Sequence, residues 1–498
     1  MLFLFISLFV LFLVHQFWYR RRHLPDGPIP LPGVGNLLAF YSKPRWEPIL
    51  LKWRQKYGPL YTLWTGGRPA ITVNTYDAAQ KLFVQQGDVF ADRGMPVQAL
   101  VLTRGGPYGI VFNSGSLWSD QRRFALHTLR DFGLGKNRMQ ENILEEVAYV
   151  IENISSDVAA GTDEIDAYKH TDLAVGSVLN SVLCGYRFTA NDKAHEFVEM
   201  KEKTARFFAS LADPLFQMSM NYKVLLKIPF FQRRFDRILW PQREIFRFID
   251  EIIKDHERTT DYTIEFEPRD FIDAYLIHKQ NKDTTGEQHS FSREQLLGSV
   301  VDMWFAGQET TSATITWCLG YLIQNPEVQK KMHDELDAVI GSDRLITVAD
   351  RQSLPYCNAV IMETQRVSNV FALNLPRKTN RDVQYEGVVI PSGTVVVPQI
   401  SVMLWDPDFY PNPEHFDPDR FIDENGQLKK AEEFVPFSLG KRACLGESLA
   451  KMSIYLFIAN LLNQFQFSAA TVPPTLLKAY SGMSIACQNY QCRIKKRH

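Results

Sequence analysis

The chain has 498 residues, of which 45% are hydrophobic and 22% charged, and its formal net charge is −1. That composition supplies a sizeable core and excludes bulk disorder, and the near-zero charge excludes a nucleic-acid partner recruited by overall electrostatics. Cys184, Cys318, Cys357, Cys444, Cys487 and Cys492 show no paired metal-ligand spacing, which argues against a zinc site and for a reducing compartment.

Met1 to Tyr19 carry no charged side chain and end in Trp18 and Tyr19, just before Arg20, Arg21, Arg22 and His23. A helix of that length, at ~1.5 Å per residue, is just long enough to cross the hydrocarbon layer of a bilayer. The aromatic pair belongs at the interface, and the arginines keep the following chain in the cytosol. A cleaved signal peptide would need charge before the apolar run and small residues after it, the reverse of what stands here. Residues 1–19 are therefore expected to be an uncleaved single-pass anchor. Residues 20–36 follow as a basic, proline-rich hinge, since the prolines between Pro25 and Pro32 forbid helix and favour a stiff extended segment. Gly33 and Gly35 lack the strand, third glycine and receiving helix of a nucleotide loop. No other stretch carries such a fingerprint, so electrons used by this chain must come from another protein.

Residues 37–498 read as one catalytic domain, mainly α with a smaller β region. The period is helical, with β-like runs near Leu60 to Val73 and Val383 to Val397. Trp118 and Arg122 stand at i and i+4, an indole donor and a guanidinium on one helix side. Val224 to Phe231, followed by Arg233 and Arg234, suits either a membrane surface or a core-facing loop. Ser292 opens the longest helix, with Gln295 reaching back in a capping box, and Asn325-Pro326 ends it after Gln324. Such a helix, ~45 Å long, is expected to run through the core. In its middle Ala306 and Thr310 lie one turn apart, Gly307 allows close approach of a flat group, and the threonine hydroxyl competes for a carbonyl.

Glu363 and Arg366 share a helix face, and Arg420 in Pro418-Asp419-Arg420-Phe421 supplies a second arginine able to join them. Near the C terminus runs Phe437-Ser438-Leu439-Gly440-Lys441-Arg442-Ala443-Cys444-Leu445-Gly446. Gly440 allows a tight turn, Arg442 supplies a fixed cation, and Cys444 is placed to open a helix whose dipole and free amides favour the thiolate.

Phe437, Gly440, Arg442, Cys444 and Gly446 resemble, at all five fixed positions, the haem-binding loop of the cytochrome P-450 family. The resemblance extends from the proline hinge to the C terminus and is closest to the microsomal drug-, steroid- and fatty-acid-oxidising branch. It implies the cytochrome P-450 fold, haem b (iron protoporphyrin IX) with Cys444 as the axial iron ligand, and dioxygen as co-substrate. It also implies NADPH used indirectly through NADPH–cytochrome P-450 reductase, cytochrome b5 as a second candidate donor, and an endoplasmic reticulum membrane location with the catalytic domain facing the cytosol. Glu363, Arg366 and Arg420 match the buried network that holds the cysteine loop. Trp118, Arg122, Arg377 and Arg442 match the donors to the haem propionates, and two carboxylates entering an interior need such cations. Arg104 is a further candidate whose alignment Gly105-Gly106-Pro107-Tyr108 leaves open. Ala306 matches the oxygen-activating groove, with Glu309 and Thr310 as the acid and alcohol that deliver protons. Arg123, Arg130, Lys136, Arg138, Lys429, Lys430 and Lys441 would form a basic face for an acidic flavoprotein. Phe207, Phe208, Phe305, Phe371 and Met483 fall in the family's substrate-facing segments, an apolar set that suits lipophilic ligands and names none. The implied function is a monooxygenase inserting one atom of dioxygen into a fatty acid, steroid or xenobiotic, by hydroxylation or epoxidation.

Overall fold

The computed structural model describes residues 2–498 apart from 41, 42, 44, 96, 135–137, 163, 190–192, 212, 265, 372, 373, 477, 482 and 483. Its N terminus departs from the single continuous helix expected over residues 1–19. The α-helix covers Leu2–Val14, and the chain then widens into a π-helix over His15–Tyr19. The change falls at the polar interruption. Gln16 is buried and accepts a hydrogen bond from Arg20 at 3.0 Å, while the Arg20 guanidinium lies 4.6 Å from the Trp64 ring centroid and bonds the Gly67 carbonyl. Thirteen α-helical residues span only ~20 Å at the standard rise, and among the described residues no helix is long and apolar enough to cross a membrane.

Two compact units make up the chain. One comprises Met1–Met95, Phe371–His415 and Ala431–Cys444; the other Pro96–Val370, Phe416–Lys430 and Leu445–His498. The first holds most of the β structure. Leu60–Thr65 and Arg68–Val73 are rich in β-branched and aromatic residues and pair antiparallel around the turn Gly66-Gly67, where Gly66 takes the positive φ that a two-residue hairpin needs. Arg68–Val73 then pairs in parallel with Val395–Pro398. That strand pairs antiparallel with Arg377–Lys378, which pairs antiparallel with Asp92–Arg93. The sheet order sets Arg377 in an interior strand.

The second unit is mainly helical and is built around Arg293–Gln324. The Ser292 hydroxyl accepts from the Gln295 amide at 3.2 Å, the expected N-cap. The Gln295 side chain does not reach back in a capping box. It is buried and turned to Gly109, accepting from that amide at 3.2 Å and donating to that carbonyl at 2.9 Å. The buried backbone groups of Gly109 outcompeted the local cap, because an unmet buried amide costs more than a missing reciprocal bond. Helices Ala167–Cys184, Pro229–Thr259, Pro355–Ser368 and Glu447–Gln464 pack around this helix, so it is apolar on all sides rather than amphipathic.

The segment from Arg104 to Asn113 is tied down on the same helix. Arg104 forms a 2.6 Å ion pair with Asp302, both almost fully buried, and the other Asp302 oxygen accepts from the amides of Ile110 and Val111 at 2.8 and 2.9 Å. Gly298 makes room, since a Cβ there would meet the Gly109 amide at 2.6 Å. Removing one member of a buried pair strands the other charge. Asp302→Ala is expected to lower stability by about 3–5 kcal/mol, whereas Asp302→Asn, which keeps hydrogen-bond acceptance, should lose less. Urea unfolding of the two variants checks the order.

Candidate functional site

In the first unit, the loop around Cys444 is held by backbone geometry and two buried arginines. Ser438 and Gly440 both take positive φ, and a 3-10 turn covers Gly440–Arg442. The Cys444 amide then donates to the Phe437 carbonyl at 2.8 Å and the Ala443 amide to the Gly440 carbonyl at 2.9 Å. A Cβ at Gly440 would overlap the carbonyl of Phe83, so no other residue fits the turn without moving the Gln80–Gln85 segment. Arg377, 1% exposed, donates to the Leu439 carbonyl at 2.8 Å and to the Ser438 hydroxyl at 3.1 Å, and its guanidinium carbon lies 4.3 Å from the Phe83 ring centroid. Arg442 is also buried and donates from Nε to the Ala91 carbonyl at 2.5 Å. Lys441 pairs with Asp88.

Cys444 is the exposed member of the six cysteines; the other five are buried. Burial pushes the thiols of Cys318 and Cys487 up to about 12, and those of Cys184 and Cys357 well above the usual thiol range. Those four stay protonated and inert, and the fully buried Cys492 thiol donates to the Ile165 carbonyl at 3.6 Å, which leaves the exposed sulfur as the candidate ligand or nucleophile. Cys444 does not open a helix. The helix starts at Glu447 with Gly446 at its N-cap, because the 3-10 turn and the Cys444–Phe437 bond use up the backbone just before it.

In the second unit, Glu363 and Arg366, both 0% exposed, make two bonds of 2.7 Å on helix Pro355–Ser368. Arg420 joins at 3.1 Å, and the Asp417 amide donates to the same glutamate oxygen at 2.8 Å. The structure therefore brings Glu363, Arg366 and Arg420 together. On helix Gly115–Leu134, Trp118 is buried and Arg122 lies 5.8 Å from its ring centroid, so the two share one side. Arg104, left open by the sequence, is committed to Asp302.

From Gln295 to Ile323 every residue of the central helix is buried except Leu297, Phe305, Ala306, Gly307, Glu309 and Thr310. The cluster at Phe305–Thr310 uncovers one stretch of a helix that is otherwise packed all round. Ala306 is exposed, and its carbonyl accepts from the Thr310 hydroxyl at 2.8 Å. Phe305 meets Phe208 edge-on at 5.4 Å and stacks with Phe207 at 6.3 Å, both from helix Ala194–Ser210. Glu309 and Thr310 do not bond one another. A Glu309 oxygen instead accepts from Lys201 at 2.7 Å, and Lys201 also donates to Asp172 and to Gln308, each at 2.9 Å. Burial pulls the Lys201 ammonium down, but the carboxylates of Asp172 and Glu309 outweigh it and hold the lysine above its usual range. Nothing in the sequence pointed to Lys201 or Asp172, which lie 108 and 137 residues before Glu309 in the chain.

Each unit supplies residue types that suit a haem. A planar apolar group with two carboxylates needs an open sulfur, a small residue at a helix face and fixed cations; Cys444, Ala306, and Arg122, Arg377 and Arg442 are of those kinds. Phe371 is half-buried, Met483 and Lys136 lie outside the described residues, and Arg123, Arg130, Arg138 and Lys429 are exposed.

The family model described as Cytochrome P450 matches residues 25–493. Among curated proteins, cytochrome P450 2A9 of Mesocricetus auratus is 37% identical over 465 residues, which cover 93% of this chain and 91% of that protein. Cytochrome P450 2C23 of Rattus norvegicus is also 37% identical, over 92% of this chain and 90% of that protein. Cytochrome P450 2B19 of Mus musculus is 34% identical, over 98% of this chain and 97% of that protein.

Gly440→Ala is expected to displace the loop against Phe83 and reduce haem retention in the purified protein, read from the ratio of Soret to protein absorbance. Glu363→Ala should strand Arg366 and cost about 3–5 kcal/mol, enough to remove most soluble expression at 37 °C. A wild-type Soret ratio for Gly440→Ala, or a wild-type melting curve for Glu363→Ala, contradicts the corresponding assignment.

Proposed function

The chain belongs to the cytochrome P450 family and is a monooxygenase, and from that premise we propose that it oxidises lipophilic substrates of the fatty-acid, steroid or xenobiotic classes with electrons from an NADPH-dependent reductase. Cys444 would hold the iron of haem b, Trp118, Arg122, Arg377 and Arg442 would serve its propionates, and Phe437 and Gly440 would shape the loop. The bound haem thiolate supplies dioxygen activation, one oxygen atom going to the substrate and the other to water. The observation that carries this reading is the exposed sulfur of Cys444 in a loop that Gly440 and two buried arginines hold in one shape.

The chain's own contribution is orientation and proton control. Phe208 and Phe305, in contact at 5.4 Å, are suited to bind a lipophilic molecule and exclude water, and Phe371 and Met483 would add apolar side chains of the same kind. Thr310 holds a hydroxyl proton on the Ala306 carbonyl, one turn back on the uncovered face, where it can be passed on and replaced from Glu309. Arg123, Arg130 and Arg138 are exposed cations suited to an acidic reductase or to cytochrome b5. Residues 1–19 act as an anchor in the endoplasmic reticulum membrane. The exposed Tyr222, Val224, Ile228 and Phe230 support further contact with lipid, since such side chains gain by leaving water.

Reduced protein under carbon monoxide is expected to give the red-shifted Soret band of a sulfur-ligated haem, and Cys444→Ser to lose it; a band that survives the substitution ends the reading. With any compound that shifts the haem spin state as substrate, Thr310→Ala should keep NADPH oxidation but lower product formed per NADPH by roughly a hundredfold, the low end of what positioned proton transfer contributes.

A further inference from the structure

Past the uncovered stretch at Phe305–Thr310, two C-terminal segments of the second unit are fastened to the last turns of the central helix. The Tyr490 hydroxyl donates to the Thr316 carbonyl at 2.7 Å, and Gln324 Nε2 donates to the Pro474 carbonyl at 2.6 Å. Leu476 closes on Gly320, where a Cβ would meet its Cδ2 at 2.5 Å. The segments are stitched to each other by the Thr475 hydroxyl, which donates to Gln488 Oε1 at 3.2 Å. They enclose a cavity of about 260 Å³, a little under the ~300 Å³ at which ordinary ligand pockets begin. Because its walls are tied to both the helix and each other, the cavity is preformed. Thr316 lies ~9 Å and Gln324 ~21 Å past Thr310 along the helix axis, so the cavity adjoins a different part of that helix from Phe305 and Thr310.

The chemistry of its wall is specific. Glu164 is the charged side chain among the lining residues, beside Ala470, Val472, Pro473, Pro474 and the ring of Tyr490. Glu164 Oε1 takes the Thr471 amide at 3.0 Å, the Thr471 hydroxyl at 2.9 Å and Arg493 at 3.3 Å. Among the described residues no donor reaches Oε2. The Thr471 amide and hydroxyl, with Arg493, hold the carboxyl below its usual range, so it is ionised at neutral pH. Arg493 is 55% exposed, and an ion pair that open to water offsets little of the carboxylate's charge. A carboxylate oxygen awaiting a donor, next to an aromatic ring and two prolines, suits a small cation with N–H groups at one end and a flat apolar body at the other.

We propose that this cavity is a binding site for a small aromatic cation of the amidinium or ammonium class, with Glu164 as its anion and Tyr490, Pro473 and Pro474 as its apolar wall. It uses none of the residues assigned to haem, proton delivery or substrate, so both sites can be filled at once.

Benzamidine is the probe, since its amidinium is charged at neutral pH and carries N–H donors on a flat ring; benzamide is the neutral molecule of the same shape. Both are titrated into the full-length holoenzyme in nanodiscs of zwitterionic lipid, with binding read by saturation-transfer NMR and the haem by its Soret band. Benzamidine should saturate one site with a Kd of roughly 1 mM, ordinary for so few atoms, and benzamide should bind at least about tenfold more weakly. Glu164→Gln should weaken benzamidine about tenfold, as expected when a charged hydrogen-bond partner is lost. Asn489→Trp places a large ring in the cavity from an exposed position and should abolish binding. The Soret band should not move during any titration. If Glu164→Gln does not fold, Asn489→Trp carries the test. Failure to saturate at ten times the expected Kd, equal binding of benzamide, a wild-type Kd in either variant, or a Soret shift that follows the titration overturns the site.

Discussion

The loop that presents Cys444 depends on a steric constraint at Gly440. Its positive φ and the nearness of the Phe83 carbonyl leave no room for a side chain, and that allows the chain to reverse before Cys444. Arg377 then donates into the loop at the Leu439 carbonyl and Arg442 donates out of it to the Ala91 carbonyl, so the loop is braced by charge-assisted bonds. The arginines matched by resemblance to propionate donors thus also hold the loop itself. A sulfur presented this way differs in kind from the buried thiols elsewhere, which desolvation keeps neutral.

Three of the charge clusters in the second unit differ in design. Glu363 with Arg366 and Arg420 is a closed network in which both glutamate oxygens are met by guanidinium donors, and it has no freedom to rearrange. Arg104 with Asp302 is a pair completed by the backbone amides of Ile110 and Val111, and it fastens an irregular segment to the central helix. Lys201 with Asp172 and Glu309 is unbalanced, with one carboxylate well solvated by protein and the other dependent on a single donor. Closed networks suit support, because any member left unpaired in the interior is costly.

Some of this was legible in the residues themselves. The Phe437–Gly446 motif is local, since a turn, a cation and a sulfur within ten positions leave few conformations open; so the loop and its family could be read from order alone. The long central helix was equally plain, because its cap at Ser292 and its stop at Asn325-Pro326 are local signals and its apolarity is continuous. The pairing of Glu363 with Arg366 follows from helical spacing, and Arg420 followed from the family pattern.

Other features were settled by the folded chain. Arg104 was left open and went to Asp302, 198 residues away, because a buried aspartate already bonded to two amides is a better partner than solvent. Gln295 gave up its local cap for Gly109, and Cys444 stands before its helix rather than in it. The apolar N terminus breaks from α to π geometry where Gln16 turns inward to Arg20, a choice that hydropathy does not encode. Above all, Glu309 bonds Lys201 and not its neighbour Thr310. Sequence determines which groups exist and how local periods arrange them; which distant charge a buried carboxylate meets is decided by packing, since only packing brings helices far apart in the chain within 3 Å and removes the water that would otherwise serve both.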